Sequence, residues 1–146
     1  MTGPDDALRT ALAGVRTIAV VGLSDQPDRD SHRVARYLQE QGFRIVPVNP
    51  AVPEILGERS YPSLSEIPPS IPIDLVDIFR RSERVPPIVD EAIARRVPVV
   101  WMQLGVEHAA AAARARAAGL TVVENRCLRI EHQRLGVAPR SGSPAP

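Results

Sequence analysis

Five short, largely apolar runs of strand length, each followed by a helix-patterned or proline-rich stretch, constrain this chain more than any other feature. The first, Thr17-Ile18-Ala19-Val20-Val21, is unbroken and ends at Gly22. Continuous rather than alternating hydrophobicity implies a strand buried on both faces, the condition of a parallel sheet covered by helices. The others span Phe43 to Val48, Asp74 to Phe79, Val97 to Met102 and Leu120 to Val123. Pro47 has no N–H to give to a ladder, so the second strand belongs at a sheet edge or stops there.

The stretches between them read as helices. Leu8 and Leu12 lie four apart in 5–13, behind acids in the first turn. A second helix starts near Asp30 or Ser31, either able to cap it, buries Val34, Ala35 and Leu38, and closes at Gly42. Ile88, Val89, Ala92 and Ile93 mark a third, with Pro86 and Pro87 near its start, where a missing N–H costs least. The alanine-rich 107–118, closed by Gly119, and 127–135 complete the set. The proline-rich connection 49–73 is expected to hold one helical turn, Pro62 to Glu66, capped by Ser63 or Ser65. Strands alternating with helices predict one α/β domain over residues 1–135: a doubly wound, mainly parallel five-stranded sheet flanked by helices. Residues 136–146, rich in Ser, Gly and Pro, are expected to be a disordered tail.

Composition narrows the partners. The 18 basic residues, all Arg, face 17 acids for a net charge of +1, so neither a nucleic-acid coat protein nor a polybasic membrane binder is expected. No apolar run approaches the ~20 residues of a membrane span, and the acidic N-terminus is not signal-like, which predicts a cytoplasmic protein. Cys127 is the only cysteine, excluding an internal disulfide and a Cys-based zinc site. His32, His108 and His132 are scattered one per segment and read as surface or capping residues; no metal is expected.

In such sheets ligands bind at the carboxyl ends of the strands, near the point where strand order reverses. That rule selects Gly22-Leu23-Ser24, Asn49-Pro50, Phe79-Arg80-Arg81, Gln103-Leu104-Gly105 and Asn125-Arg126. The first loop runs into a helix N-terminus, whose free N–H groups attract phosphate. Gly22 permits close backbone approach, Ser24 offers a hydroxyl and Arg29 a bidentate fork. The nucleotide is less determined. In place of G-x-G-x-x-G the chain reads Gly22-Leu23-Ser24-Asp25-Gln26-Pro27, and Asn49 stands where an acid would select NAD, which disfavours NAD and leaves NADP open. A P-loop needs Lys, which is absent, and there is no G-x-S-x-G nucleophile elbow. Asp74 and Asp77, three apart in the third strand, point to opposite faces and form no dyad. Asp74 is expected to cap the strand entrance and Asp77 to make a buried polar contact. Cys127 has Arg126 and Arg129 nearby, neighbours that can lower a thiol pKa, although isolated cysteines more commonly only pack. Trp101 reads as core, its indole N–H in need of a partner.

Taken in order, Val-Val-Gly-Leu-Ser (20–24), Pro27 with Arg29 and Ser31, Val-Ala-Arg-Tyr-Leu (34–38) and Pro-Val-Asn-Pro (47–50) form a pattern. It continues with Leu-Gly-Glu-Arg-Ser-Tyr-Pro-Ser-Leu (56–64), Val-Asp-Ile-Phe-Arg-Arg (76–81), Trp-Met-Gln-Leu-Gly-Val (101–106) and Glu-Asn-Arg-Cys (124–127). The pattern, covering about 5–135, resembles the small bacterial CoA-binding proteins, a family similar in fold to the nucleotide-binding domain of the succinyl-CoA synthetase α subunit. The resemblance implies a Rossmann-like domain holding coenzyme A across its strand ends. Carried over by position, Gly22, Ser24 and Arg29 cradle the diphosphate, and Asn49 and Pro50 line the adenosine side. Ser63 and the Phe79-Arg80-Arg81 turn lie close by, and Gln103 and Gly105 flank the pantetheine path. The CoA 3′-phosphate suits a neutral Asn49 and a surround of arginines. The synthetase keeps its phosphorylatable histidine in a separate domain, for which no chain remains, so a complete ligase reaction is not expected. The expectation is a non-catalytic binding or sensor protein for CoA or an acyl-CoA, its protein partner unidentified. A sensor of this kind would change its association through the edge beyond Pro47. The alternative on the same nucleotide site is an NAD(P)-dependent oxidoreductase or an acyl-transfer enzyme.

Overall fold

The computed structural model describes residues 3–141. Its central sheet contains β1 (Thr17–Val21), β2 (Arg44–Val48), β5 (Leu75–Ile78), β6 (Val99–Met102) and β7 (Thr121–Val123). A hairpin of β3 (Glu54–Ile55) and β4 (Glu58–Arg59) lies apart from it. The order across the sheet is β2-β1-β5-β6-β7, and every neighbouring pair is parallel. The chain therefore steps from β1 to β2 on one side, then returns past β1 to β5 on the other. That reversal opens a crevice between the carboxyl ends of β1 and β5. The five-stranded parallel α/β sheet expected from the apolar runs is the one observed.

Both faces of the central sheet are covered, which is why its apolar runs carry no polar alternation. Ala19, Val21, Val46, Val76, Ile78, Val100 and Met102 face one core, with Val89 and Ala92 of α3 (Val85–Ala94) and Ala111 and Ala115 of α4 (Ala109–Ala117). Ile18, Val20, Ile45, Leu75, Val99 and Trp101 face the other. There they meet Leu8 and Leu12 of α1 (Pro4–Ala13), Val34 and Leu38 of α2 (Asp30–Glu40) and Leu128 of α5 (Leu128–Leu135). No helix among the described residues is long and apolar enough to cross a membrane.

Pro47 sits where its missing N–H does least harm. It pairs with Val20 on β1, while its carbonyl points outward and accepts from the Tyr61 N–H at 3.0 Å. N–H and C=O of one strand residue share a side, so the absent donor lies on the outer edge. This edge is not open, contrary to what association beyond Pro47 requires: Tyr61 covers it, its carbonyl also accepting from the Asn49 N–H at 2.9 Å. The β3–β4 hairpin was not legible in the sequence. Its turn residues, Leu56 and Gly57, both have positive φ (55° and 76°), as a type I′ turn requires, but Leu-Gly lacks the usual Asn-Gly signature.

Two histidines expected at the surface are buried. His132 donates from Nε2 to the Val137 carbonyl at 2.6 Å, so its Nδ1 accepts from the Tyr37 hydroxyl at 2.6 Å. His32 is buried on α2. His108 does cap a helix, accepting from the Ala111 N–H of α4 at 3.1 Å. Of the expected tail, residues 136–141 are tied to the domain by that His132 bond and by Arg140, whose N–H donates to the Val15 carbonyl at 2.8 Å. Residues 142–146 lie outside the described residues.

Candidate ligand-binding site

The switch point is built around Gly22. It has φ 87°, donates to the Val48 carbonyl at 2.9 Å, and follows Val21, whose carbonyl accepts from the Phe79 N–H at 2.8 Å. A Cβ on Gly22 would stand 2.2 Å from the Phe79 carbonyl oxygen, far inside contact distance. Glycine is demanded here by the neighbouring strand as well as by backbone conformation.

Two clefts flank this point. The smaller, about 390 Å³, is lined by Gly22, Ser24, Gln26, Arg29, Asp30, Ser31 and Phe79. Its loop is pre-shaped: the Ser24 N–H donates to Ser31 Oγ at 3.0 Å, and Ser24 Oγ accepts from the Gln26 N–H at 3.0 Å. Neither Asp30 nor Ser31 caps α2, as the sequence suggested. The N-cap is Arg29, in extended conformation with no side-chain cap, because Ser31 is engaged with Ser24 and Asp30 pairs with Arg33. The first turn of an α-helix has N–H groups without intrahelical partners, and this one leaves them uncapped beside a cleft.

The larger cleft, about 600 Å³, has an apolar floor of Val21, Val48, Leu64 and Ile88, with Pro50, Pro62 and Pro87 around it. Its polar lining is Ser63, Glu91 and three arginines, Arg80, Arg81 and Arg84. Arg80 links the clefts, its Nε 3.3 Å from where a Gly22 Cβ would stand. Among the described residues, no carboxylate pairs with Arg29, Arg80, Arg81 or Arg84, whereas Arg33, Arg114, Arg126 and Arg134 are all ion-paired. Arg84 was missed at the sequence level. It arrives through the 3₁₀ turn Ser82–Arg84, whose Arg84 N–H donates to the Arg81 carbonyl at 2.8 Å. The R-R-x-x-R spacing after β5 was the available signal.

Eight of the eleven sequence-selected residues line these clefts: Gly22, Ser24, Arg29 and Phe79 in one, Pro50, Ser63, Arg80 and Arg81 in the other. The remaining three line neither. Asn49 uses both ends of its amide, donating from Nδ2 to the Leu23 carbonyl at 2.9 Å and accepting at Oδ1 from the Ala51 N–H at 2.8 Å. Gln103 is buried and accepts the Leu128 N–H at 2.9 Å. Gly105 donates to Asn125 Oδ1 at 2.7 Å.

The other singled-out residues have structural places. Asp74 caps the entrance of the neighbouring strand β1 rather than that of its own strand, accepting from the N–H groups of Arg16 and Thr17 at 3.0 and 2.9 Å. Asp77 makes no buried polar contact, against expectation: it is fully buried with neither carboxylate oxygen hydrogen-bonded among the described residues, and burial pushes its pKa up. The Trp101 indole donates to the Arg126 carbonyl at 2.7 Å. Cys127 is half-buried at the N-cap of α5, outside both clefts.

Residues 16–133 match the family described as "CoA binding domain". The chain belongs to this family. Among its relatives is the uncharacterized protein YneT of Bacillus subtilis, 41% identical over 133 residues that span 90% of this chain and 97% of that one. A solved structure, the PH1109 protein redesigned for binding, superposes with a TM-score of 0.87 at 40% identity, covering 92% of this chain and 93% of the other. The α subunit of the ADP-forming acetate–CoA ligase II of Pyrococcus furiosus is 36% identical over 67 residues, 45% of this chain but only 15% of its own length. Similarity thus extends over nearly the whole of one relative and over a small part of a much longer ligase subunit.

Proposed function

We propose that this CoA-binding family member binds coenzyme A or an acyl-CoA across the carboxyl ends of β1, β2 and β5, as a cytoplasmic binding or sensing protein without turnover. One observation carries the reading: four arginines without carboxylate partners converge on two adjoining clefts, one of which opens onto the uncapped N-terminus of α2. Such a surface is made for a ligand with several separated phosphates. The diphosphate lies against Gly22, Ser24, Arg29 and the first turn of α2. The adenosine rests on the apolar floor beside Pro50 and Pro62, with Ser63 and Phe79 at its sides, and the 3′-phosphate meets Arg80, Arg81 and Arg84. Asn49 and Gln103 support the frame through the bonds described above, and Gly105 shapes the neighbouring turn. An NAD reading is disfavoured because the neutral Asn49 stands where an acid would hold the ribose 2′-OH, and its amide is engaged with Leu23 and Ala51.

The test is calorimetric titration of the chain with CoA, dephospho-CoA, NAD and NADP in parallel. CoA binds, dephospho-CoA binds about tenfold more weakly or worse for want of charge-assisted bonds, and NAD gives no heat. Arg29→Ala lowers CoA affinity by about 1–3 kcal/mol. A preference for NAD or NADP overturns the reading, and turnover of an acyl-CoA by the chain alone overturns its non-catalytic part.

A further inference from the structure

One wall of the larger cleft, Pro62 to Leu64, belongs to a connection with little regular structure of its own. Between the isolated bridge at Tyr61 and the Asp74 N–H, which donates to the Thr17 carbonyl, it has only a three-residue 3₁₀ turn, Leu64–Glu66. Leu64 and Ile67 anchor it in the core, and side chains of α3 hold its backbone. The half-buried Arg95, at the C-cap of α3 and outside both clefts, donates from Nη1 to the Ile67 carbonyl at 2.6 Å. Its Nη2 donates to the carbonyls of Pro68 and Ile71 at 2.8 and 2.9 Å, with a longer 3.5 Å contact from Nη1 to Leu64. One turn earlier on the same helix, Glu91 Oε2 accepts from both the N–H and the hydroxyl of Ser65, at 2.8 and 2.6 Å. This explains why a carboxylate stands in an arginine-lined cleft: its charge is committed to the wall.

We infer that Arg95 is a positioning residue of the ligand site, holding the wall in its ligand-ready shape by clamping backbone carbonyls of the segment behind it. The inference rests on the coenzyme A reading. A guanidinium suits the task because its planar fork addresses several acceptors at once, which an ammonium cannot reproduce. A wall fixed in advance spares the ligand the entropy of ordering it.

The experiment compares the unsubstituted chain with Arg95→Met, titrating CoA, adenosine 3′,5′-bisphosphate and 4′-phosphopantetheine, and follows amide hydrogen exchange over 63–71. Releasing the wall weakens CoA and the bisphosphate by about tenfold while phosphopantetheine stays within about twofold. Exchange over 63–71 rises in the free variant and falls back when CoA saturates it. Arg95→Lys, which keeps the charge and the stem but lacks the planar fork, weakens the same two ligands by about threefold while phosphopantetheine stays within about twofold, and decides the matter should Arg95→Met fail to fold. Unchanged affinities, or equal losses for all three ligands, overturn the role while leaving CoA binding by the unsubstituted chain intact. Absence of CoA binding by the unsubstituted chain overturns both the ligand reading and the role.

Discussion

Asp77 lies in the middle strand of the sheet, level with Val20 on one side and Trp101 on the other. The sequence marked it as a polar interruption of an apolar run, but its cross-strand neighbours came from distant segments, so its lack of a partner was invisible. A buried carboxyl without hydrogen bonds holds its proton more firmly than in water, raising its pKa above the ordinary 3.8. The unfolded chain releases that proton near the ordinary value, so the stability Asp77 permits is full below it and declines as pH rises towards the folded value. Asp77→Asn does not titrate. Its stability relative to the natural chain should therefore climb by up to about 1.4 kcal/mol per pH unit above about pH 4. Urea midpoints at about pH 4.5 and about pH 7.5 check this, and a difference independent of pH contradicts it. Gly22 was read more fully: its place at a strand end identified the turn. The reason a side chain is barred, the Phe79 carbonyl, lies just past the end of β5, more than fifty residues on.

At the scale of elements, α5 depends on residues that the sequence had placed beside the ligand. Gln103 supplies the acceptor for its Leu128 N–H. Glu131 ties it to its surroundings: burial pushes its carboxyl up, but hydrogen bonds from Arg134 and Arg126 outweigh this and hold it below the ordinary carboxylate range. Arg134 reaches on to Asp5, joining α5 to the start of α1. Gln103→Leu leaves a buried N–H without a partner and should lower unfolding stability by about 1–3 kcal/mol. CoA affinity should stay within about twofold, as expected of a framework residue. Denaturation and calorimetry on the same preparation decide: lost affinity with stability preserved moves Gln103 into the pantetheine path. Helix and strand assignments were legible because period and length separate them. The α2 cap was not, because Ser31 and Asp30 are both good cap residues and only the folded loop commits one to Ser24 and the other to Arg33.

For the whole molecule, a net charge of +1 argued against a broad positive field, yet it concealed a local cluster of arginines. Eight of the 17 acids pair with arginines elsewhere, and none of the ion pairs among the described residues reaches Arg29, Arg80, Arg81 or Arg84 around one end of the sheet. Ion pairing at such exposed sites is screened within about 10 Å at ~0.1 M salt. Raising salt from about 0.05 M to about 0.5 M should weaken CoA by about tenfold and leave uncharged pantetheine nearly unaffected; a flat salt response for CoA contradicts a site held by these arginines. The sequence by itself determined the parallel α/β architecture, the restriction of β2 to an edge or an early stop, and the turn at Gly22. Each follows from local rules: apolar runs buried on both faces, a missing N–H, a glycine where the chain leaves a strand. Only the tertiary structure decided which arginines stay free, that Asn49 and Gln103 spend their amides on the backbone, and that Arg95 braces a wall it does not line. Those outcomes depend on which distant donors and acceptors reach each other first, and a linear order of residues does not contain those distances.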